Sequence, residues 1–307
     1  MIERLPGDPG LFPQRVTLEL TNRCNLNCTF CPRQYMEKER GFLDFGLASE
    51  LIREMAEHAP VAVVPFFRGE SLLHPQWYDI LKLIQELHVG EIQFTTNASL
   101  LDQENRERVL DLDLSFISFS LDTVDPALYM SSRQGSDFDN VMGNVLEFLK
   151  LRDKRGVSTQ VQVSAVETQL HKPGMDAFVA FWRDKVDRVR VYAEHSSDGH
   201  PGSIDEPLPQ FDRRLACHKP FSDMVVYWNG QTACCNHDWT RQVNGSPLGD
   251  VSRAGIAGVW RGEAYARLRA AQRCGQLDGV SPCDGCDHWK MYYMDAGFLG
   301  RTYAKRG

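Results

Sequence analysis

No stretch of this 307-residue sequence approaches the roughly 18 consecutive apolar residues a membrane-spanning helix needs. No membrane role is expected. The N-terminus, Met1-Ile2-Glu3-Arg4-Leu5-Pro6, lacks the apolar core of a secretion signal, so a cytoplasmic location is expected. Basic residues are not in excess either. Lys and Arg number 34 against 41 Asp and Glu, a net charge of −7 without the footprint of a nucleic-acid binder. That balance is compatible with a cationic small substrate. Cysteine is plentiful at nine residues, but a long chain without an export signal does not suit a disulfide framework. In a reducing compartment, clustered cysteines point to metal binding or catalysis. Apolar residues at 42% and charged residues at 24% describe an ordinary globular chain, long enough for a large domain with or without a small one.

What is present is a dense thiol cluster. Cys24-Asn25-Leu26-Asn27-Cys28-Thr29-Phe30-Cys31 puts three cysteines within eight residues at C-x3-C-x2-C spacing, directly after the alternating run 16–20. Thiolates hold the corners of a cubane [4Fe–4S] cluster, and three of them leave one iron open to another ligand. Zinc is an alternative, since C-x2-C also serves zinc, although zinc sites usually pair two such knuckles. Three buried structural cysteines are the plainest alternative.

The hydrophobic pattern alternates between strand and helix. Residues 16–20, 59–67, 91–97, 114–122, 159–166 and 188–192 read as strands. Residues 47–58, 77–87, 100–110, 138–152 and 175–185 read as the helices between them. Right-handed βαβ units of this kind build a parallel sheet, here an α/β partial (β/α)6 barrel over residues 1–195. Chemistry in such folds gathers at the C-terminal ends of the strands. The informative residues fall there: the cysteine loop after strand one, Gly69-Glu70 after strand two, Thr96-Asn97 after strand three, Ser120 and Asp122 after strand four. Each taken alone also fits a turn or a helix cap.

Together they resemble the radical S-adenosylmethionine (SAM) superfamily. The resemblance implies a first [4Fe–4S] cluster on Cys24, Cys28 and Cys31, whose open iron chelates the amino and carboxylate groups of SAM. Phe67-Arg68-Gly69-Glu70-Ser71 looks like the family's Gly-Glu motif, which receives the SAM amino group, with Ser71 where a proline is usual. Asn97, Ser120 and Asp122 stand where the family contacts the ribose and methionine ends of SAM. The glycine-rich element of the fifth strand is missing from residues 161–168. Residues 189–193 loosely match the strand that packs on adenine.

From about residue 195 a Gly/Pro/Ser-rich linker begins a second region, 196–307. Val225-Val226-Tyr227-Trp228-Asn229-Gly230-Gln231-Thr232-Ala233 reads as a hairpin turning at Asn229-Gly230, and residues 263–273 as a helix. Cys217, Cys235, Cys283 and Cys286 resemble the ligands of the twitch domain, a short form of the SPASM domain. The resemblance implies a second, fully closed [4Fe–4S] cluster; a four-cysteine zinc site is the alternative. No cysteine follows Cys286, so one auxiliary cluster is expected. Cys234 and Cys274 are left over. Cys235 is preferred to Cys234 as the ligand, and Cys274, a buried residue on the plain reading, is a candidate hydrogen-atom donor with Cys234 as its alternative.

The resemblance further implies that SAM is cleaved to a 5′-deoxyadenosyl radical that takes hydrogen from an unactivated carbon, fed by an external electron donor such as flavodoxin or ferredoxin. The layout is similar to aminoglycoside-biosynthesis members of two types, neomycin C epimerase and 2-deoxy-scyllo-inosamine dehydrogenase. The spare Cys274 tips the expectation toward epimerisation of a sugar or aminocyclitol carbon, with oxidation of a hydroxyl carbon as the alternative. Peptide modification is less expected, because only some fifteen residues precede the first strand. An iron–sulfur electron carrier accounts for the clusters but not for Gly69-Glu70 and the Asn97, Ser120, Asp122 set. Candidate contacts for a small, polar, cationic substrate are Arg68, His74, Arg133, Glu167, Glu194, His195, His237 and Asp238.

Overall fold

The strands follow the chain as β1 (Arg15–Leu18), β2 (Asn27–Cys28), β3 (Ala62–Val64), β4 (Gln93–Thr96), β5 (Phe116–Ser120), β6 (Arg133–Gln134), β7 (Gln160–Glu167) and β8 (Arg188–Ala193). They are seen in a computed structural model that describes residues 6–36, 38–194, 210–238, 246–293 and 300–305. Leaving aside β2 and β6, which pair only with each other, six strands run parallel in the order β1-β3-β4-β5-β7-β8. Four of the joins are full ladders, with Val16 opposite Val63, Phe94 opposite Ile117, Ile117 opposite Val161, and Val163 opposite Val189. The fifth, between β3 and β4, is the single parallel bridge Val63–Ile92. This is the expected partial (β/α)6 barrel. Its strands are buried on both faces, as parallel strands under helices must be: Val16, Leu18, Val63, Phe94, Ile117, Phe119, Val161 and Val189 join one continuous core.

The connecting helices start where the sequence supplies an acceptor for their free N–H groups. Asp44, Asp102, Asp125 and Asp137 each accept from the backbone N–H three residues on, at the heads of Phe45–Glu57, Gln103–Leu110, Pro126–Ser132 and Phe138–Arg155. Asp102 is why the third helix begins at Gln103 rather than near residue 100 as expected. Pro126–Ser132 was not expected at all; its signal is the Asp125 cap followed by Pro126 in the first turn.

The second region is woven into the first. The expected boundary near residue 195 lies outside the described residues. Beyond it, β9 (Asp223–Val226) runs parallel to β1, with Arg15 opposite Asp223, and β10 (Thr232–Ala233) returns antiparallel to β9. The hairpin turns at Asn229-Gly230 as expected, with Gly230 at φ +83. At the other edge, β11 (Gly300–Ala304) pairs antiparallel with β8. Both barrel edges are thus covered by strands from the C-terminal region, which leaves the short β10 and β11 as the outer edges. Trp228 packs on Gly41, where a Cβ would lie 2.1 Å from its ring. Among the described residues no helix is long and apolar enough to cross a membrane.

Candidate active site

The cysteine loop leaves β1 and lies over the C-terminal end of the barrel. The β2–β6 ribbon pins it there by pairing Cys28 with Arg133, and the Cys31 N–H donates to the Cys28 carbonyl at 3.1 Å. Cys24, Cys28 and Cys31 line one cavity of about 380 Å³ together with Gly69, Glu70, Asn97, Ser120 and Arg133. Burial pushes all three thiols up, Cys28 to about 11, and neighbouring sulfurs raise Cys24 and Cys28 further; Arg33 and Arg133 oppose this. Iron and zinc bind thiolates, so such a set is stabilised by a cationic metal group and left protonated without one. Arg33 also lines this cavity, and its Nε–H is buried with no acceptor among the described residues. The set therefore fits an iron–sulfur cluster carrying an anionic surface.

The strand-end residues converge on the same cavity, with one exception. Gly69 fits because it is glycine: a Cβ there would stand 2.3 Å from the Thr21 carbonyl oxygen and 2.4 Å from that of Arg23. Glu70 is buried and accepts from Thr96 Oγ1 (2.8 Å), the Asn97 N–H (2.8 Å) and the Leu72 N–H (3.2 Å). Burial raises its pKa despite these donors. The Asn97 side chain faces the loop, with Nδ2 3.0 Å from Asn25 Oδ1 and 3.9 Å from Cys24 Sγ. Ser120 lines the wall. Asp122 does not. Its Oδ2 takes Arg133 at 2.5 Å and its Oδ1 takes the Val166 N–H at 2.8 Å. Asp122 thus holds Arg133, and it is Arg133 that faces the cavity, where the sequence had suggested the Asp122 carboxylate itself. Asp122 adopts φ +67, consistent with a residue forced into a tight strand end.

A second cavity of about 180 Å³ is lined by Cys217, Cys234, Cys235, Cys283 and Cys286. Burial and neighbouring sulfurs raise Cys217 and push Cys286 up to about 12. Cys234 is buried with its sulfur 4.0 Å from that of Cys235. Its S–H stabilises the Cys235 thiolate and draws the Cys235 pKa down, while Cys234 is raised. Both sulfurs line this cavity. Cys274 is not brought to either cavity. It ends the helix Glu263–Cys274 with its thiol exposed, and lines neither site. The hydrogen-donor role read from the sequence lacks the proximity it needs, because a donor thiol must meet the substrate carbon.

Of the remaining polar candidates, Arg68, Arg133, Glu194 and His237 line the first cavity. His237 lines the second as well, so the two cavities share a wall. His74 is committed elsewhere, to the Leu43 carbonyl at 2.8 Å, and Glu167 to Arg301. Asp238 is buried against the hairpin, its carbonyl accepting from Tyr227 Oη, and His195 lies outside the described residues. Sequence reasoning missed Glu19. Its carboxylate grips Arg68 through Nε and Nη2, both at 2.7 Å, and accepts the Trp228 N–H at 3.2 Å, which ties two strand ends of the barrel to the C-terminal hairpin. Only position at the end of β1 hinted at it. Tyr192 and Ala193 also line the cavity, at the place where the sequence suggested an adenine-packing strand.

Comparisons with known proteins agree with this arrangement. The Radical SAM superfamily profile matches residues 18–181, more than half of the chain, and an iron-sulfur cluster-binding domain profile, SPASM, matches residues 217–287. The tungsten-containing aldehyde ferredoxin oxidoreductase cofactor-modifying protein of Pyrococcus furiosus is 22% identical over 91% of this chain and 90% of its own length. The GTP 3′,8-cyclase of Chlorobaculum tepidum is 29% identical over 41% of this chain, a match spanning 38% of that enzyme. Among solved structures, BtrN in complex with AdoMet and 2-DOIA superimposes with a TM-score of 0.63 at 16% identity, covering 89% of this chain and 92% of BtrN. Streptococcus suis SuiB bound to S-adenosylmethionine gives 0.69 at 17% identity, covering 92% and 75%. At those identities the likeness is one of fold. The SPASM profile, described as iron-sulfur cluster-binding, spans the five cysteines that line the second cavity and favours an iron–sulfur site over zinc there. With three cysteines at a barrel mouth, a glycine–glutamate strand end beside them and a matching profile over more than half its length, this chain belongs to the radical SAM superfamily and carries a C-terminal iron–sulfur-binding SPASM domain.

Proposed function

We propose that the chain oxidises a hydroxyl-bearing carbon of a small, polar, amine-bearing carbohydrate, an aminocyclitol or aminosugar. Bound SAM and its cluster supply a radical able to take a hydrogen atom from carbon, and the second cluster supplies a one-electron site. Cys24, Cys28 and Cys31 hold the first cluster, and Cys217, Cys235, Cys283 and Cys286 the second. Gly69 keeps the Glu70 strand end tight against the cysteine loop, and Glu70 offers a buried carboxylate to the ammonium of SAM. Arg133, oriented by Asp122, offers a guanidinium to its carboxylate, and Asn97 and Ser120 supply neutral polar contacts. Glu194 at the rim provides an acidic partner for a substrate ammonium. Oxidation of the alcohol removes two hydrogens from the substrate: one would leave as an atom to the SAM-derived radical, the other as a proton to solvent water, and the remaining electron would go to the second cluster.

The observation that carries this choice is the placement of the thiols. Epimerisation needs an S–H facing the carbon radical. Cys274 is exposed, and Cys234 is buried in the second cavity, 4.0 Å from Cys235. Electron acceptance needs instead that the second cavity adjoin the first, and the two meet at His237. The aminocyclitol class is supported by the fold neighbour BtrN, whose structure holds 2-DOIA.

The test is an anaerobic reaction in D2O with a panel of aminocyclitols and aminosugars, for wild type, Cys274→Ala and Cys234→Ala. The expected result is one 5′-deoxyadenosine per ketone or aldehyde formed, with product retained in Cys274→Ala. An inverted carbon carrying one solvent deuterium, lost in either cysteine variant, would establish epimerisation instead.

A further inference from the structure

The wall of the five-thiol cavity contains more than thiols. Gln272 projects from the helix Glu263–Cys274 and is 1% exposed. Its Oε1 accepts the Cys217 backbone N–H at 3.0 Å. Because an N–H must meet the oxygen, this bond fixes which way the amide is turned. The other end of the amide, Nε2, is buried and meets no acceptor among the described residues. Arg214 lines the same cavity from the opposite side of the sequence. Its Nη1 donates to the Cys286 carbonyl at 2.7 Å and its guanidinium lies over Trp289, yet its Nε–H is also buried without an acceptor. Buried donors are rarely left unpaired, so two at one cavity call for an acceptor that the protein itself does not provide.

We infer that Gln272 and Arg214 donate hydrogen bonds to the auxiliary iron–sulfur cluster and raise its reduction potential. The inference rests on the assignment of that cavity to a second cluster and deepens the proposed electron-accepting role. The sulfur atoms of a cluster become more negative on reduction, so N–H donors stabilise the reduced form more than the oxidised one. Arg214 adds a positive charge to the same effect. The pair are positioning and tuning residues; neither touches the substrate cavity. A site that accepts an electron from a substrate-derived radical has use for a raised potential, whereas a purely structural cluster has none.

The experiment is an EPR-monitored redox titration of the reconstituted full-length chain carrying Cys24→Ala, Cys28→Ala and Cys31→Ala, so that only the second cluster contributes. Gln272→Met and Arg214→Met are compared with that background, with iron and sulfide content measured alongside. The expected result is four irons per chain throughout and a lower midpoint potential in each variant. In the double variant the equilibrium constant for reduction should fall at least tenfold, about 59 mV. Gln272→Glu guards against misfolding, since it keeps an acceptor for the Cys217 N–H while removing the donor, and it too should lower the potential. Full clusters whose equilibrium constant moves less than twofold in all variants would overturn the inference. A background chain that assembles no cluster would overturn the cluster assignment itself, and the inference with it.

Discussion

Replacing Arg68 by methionine removes the cationic half of an ion pair that is closed to water on both sides, each side chain being 0% exposed. The guanidinium makes two charge-assisted bonds of 2.7 Å to Glu19 and lies 4.3 Å from the Tyr227 ring centroid. After the substitution Glu19 keeps the Trp228 N–H at 3.2 Å, too little for a carboxylate out of reach of solvent. Stripping one partner from a buried pair costs about 3–5 kcal/mol, a large share of the roughly 5–15 kcal/mol that holds a typical domain together. The loss should fall on the junction between the barrel and the C-terminal hairpin, since Glu19 and Arg68 sit at strand ends and Trp228 in the hairpin. Neutralising both members is different: Glu19→Gln with Arg68→Met leaves no orphaned charge and should recover at least about 2 kcal/mol of the single-variant loss. The assay is urea unfolding of wild type, both single variants and the double variant, read by tryptophan fluorescence, with midpoint shifts multiplied by a common slope. Repeating it in about 0.5 M salt should change the differences little, because a buried pair is poorly screened. A single-variant loss below about 1 kcal/mol, or losses that simply add in the double variant, would refute the reasoning.

Three further outcomes are expected. Gly69→Ala drives a methyl group onto the Thr21 and Arg23 carbonyls, 2.3 and 2.4 Å away, so it should cost about 1–3 kcal/mol by overpacking and weaken retention of the first cluster, measured as iron content and SAM-perturbed EPR signal. Glu54→Ala leaves the N–H groups of Ile256 and Ala257, now bonded at 2.7 and 2.8 Å just after the kink at Gly255, without their acceptor; a loss of about 1–3 kcal/mol and faster proteolysis within residues 251–260 should follow. His74 and His171 are buried and their pKa values lie below the usual 6.5 because burial disfavours the charged ring. The unfolded chain then takes up protons first, so the stability these residues contribute is present above about pH 6.5 and is lost as the pH falls below it. Thermal unfolding between pH 7.5 and 5.5 should show this decline, and a His74→Gln, His171→Gln variant should flatten it.

The local record in the sequence is strong wherever neighbours in the chain decide the structure. The Asn229-Gly230 turn and the six barrel strands depend on side chains within a few residues, or on a period that burial imposes, whereas the caps Asp44 and Asp102 start their helices at Phe45 and Gln103 and not at 47 and 100 where the periodicity put them. The short helix Pro126–Ser132 escaped because seven residues give too little periodicity, leaving only its cap as a sign. Asp122 was placed at a strand end, but its bond to Arg133, eleven residues on, was not legible, since Arg133 reaches it only because β6 folds back on β2.

What was legible in the sequence was the thiol loop at C-x3-C-x2-C spacing, the alternating strand and helix periods of a parallel barrel, and, through its resemblance to the radical SAM family, the class of chemistry. The tertiary structure alone decided which thiols can act together. Cys274 lies twelve residues from Cys286 in sequence yet ends a helix facing solvent, while Cys217, 66 residues before Cys283, shares its cavity. Proximity between distant segments comes from strand pairing and core packing, such as β9 on β1 and the buried Glu19–Arg68 pair, and those contacts are properties of the folded chain rather than of any stretch of it.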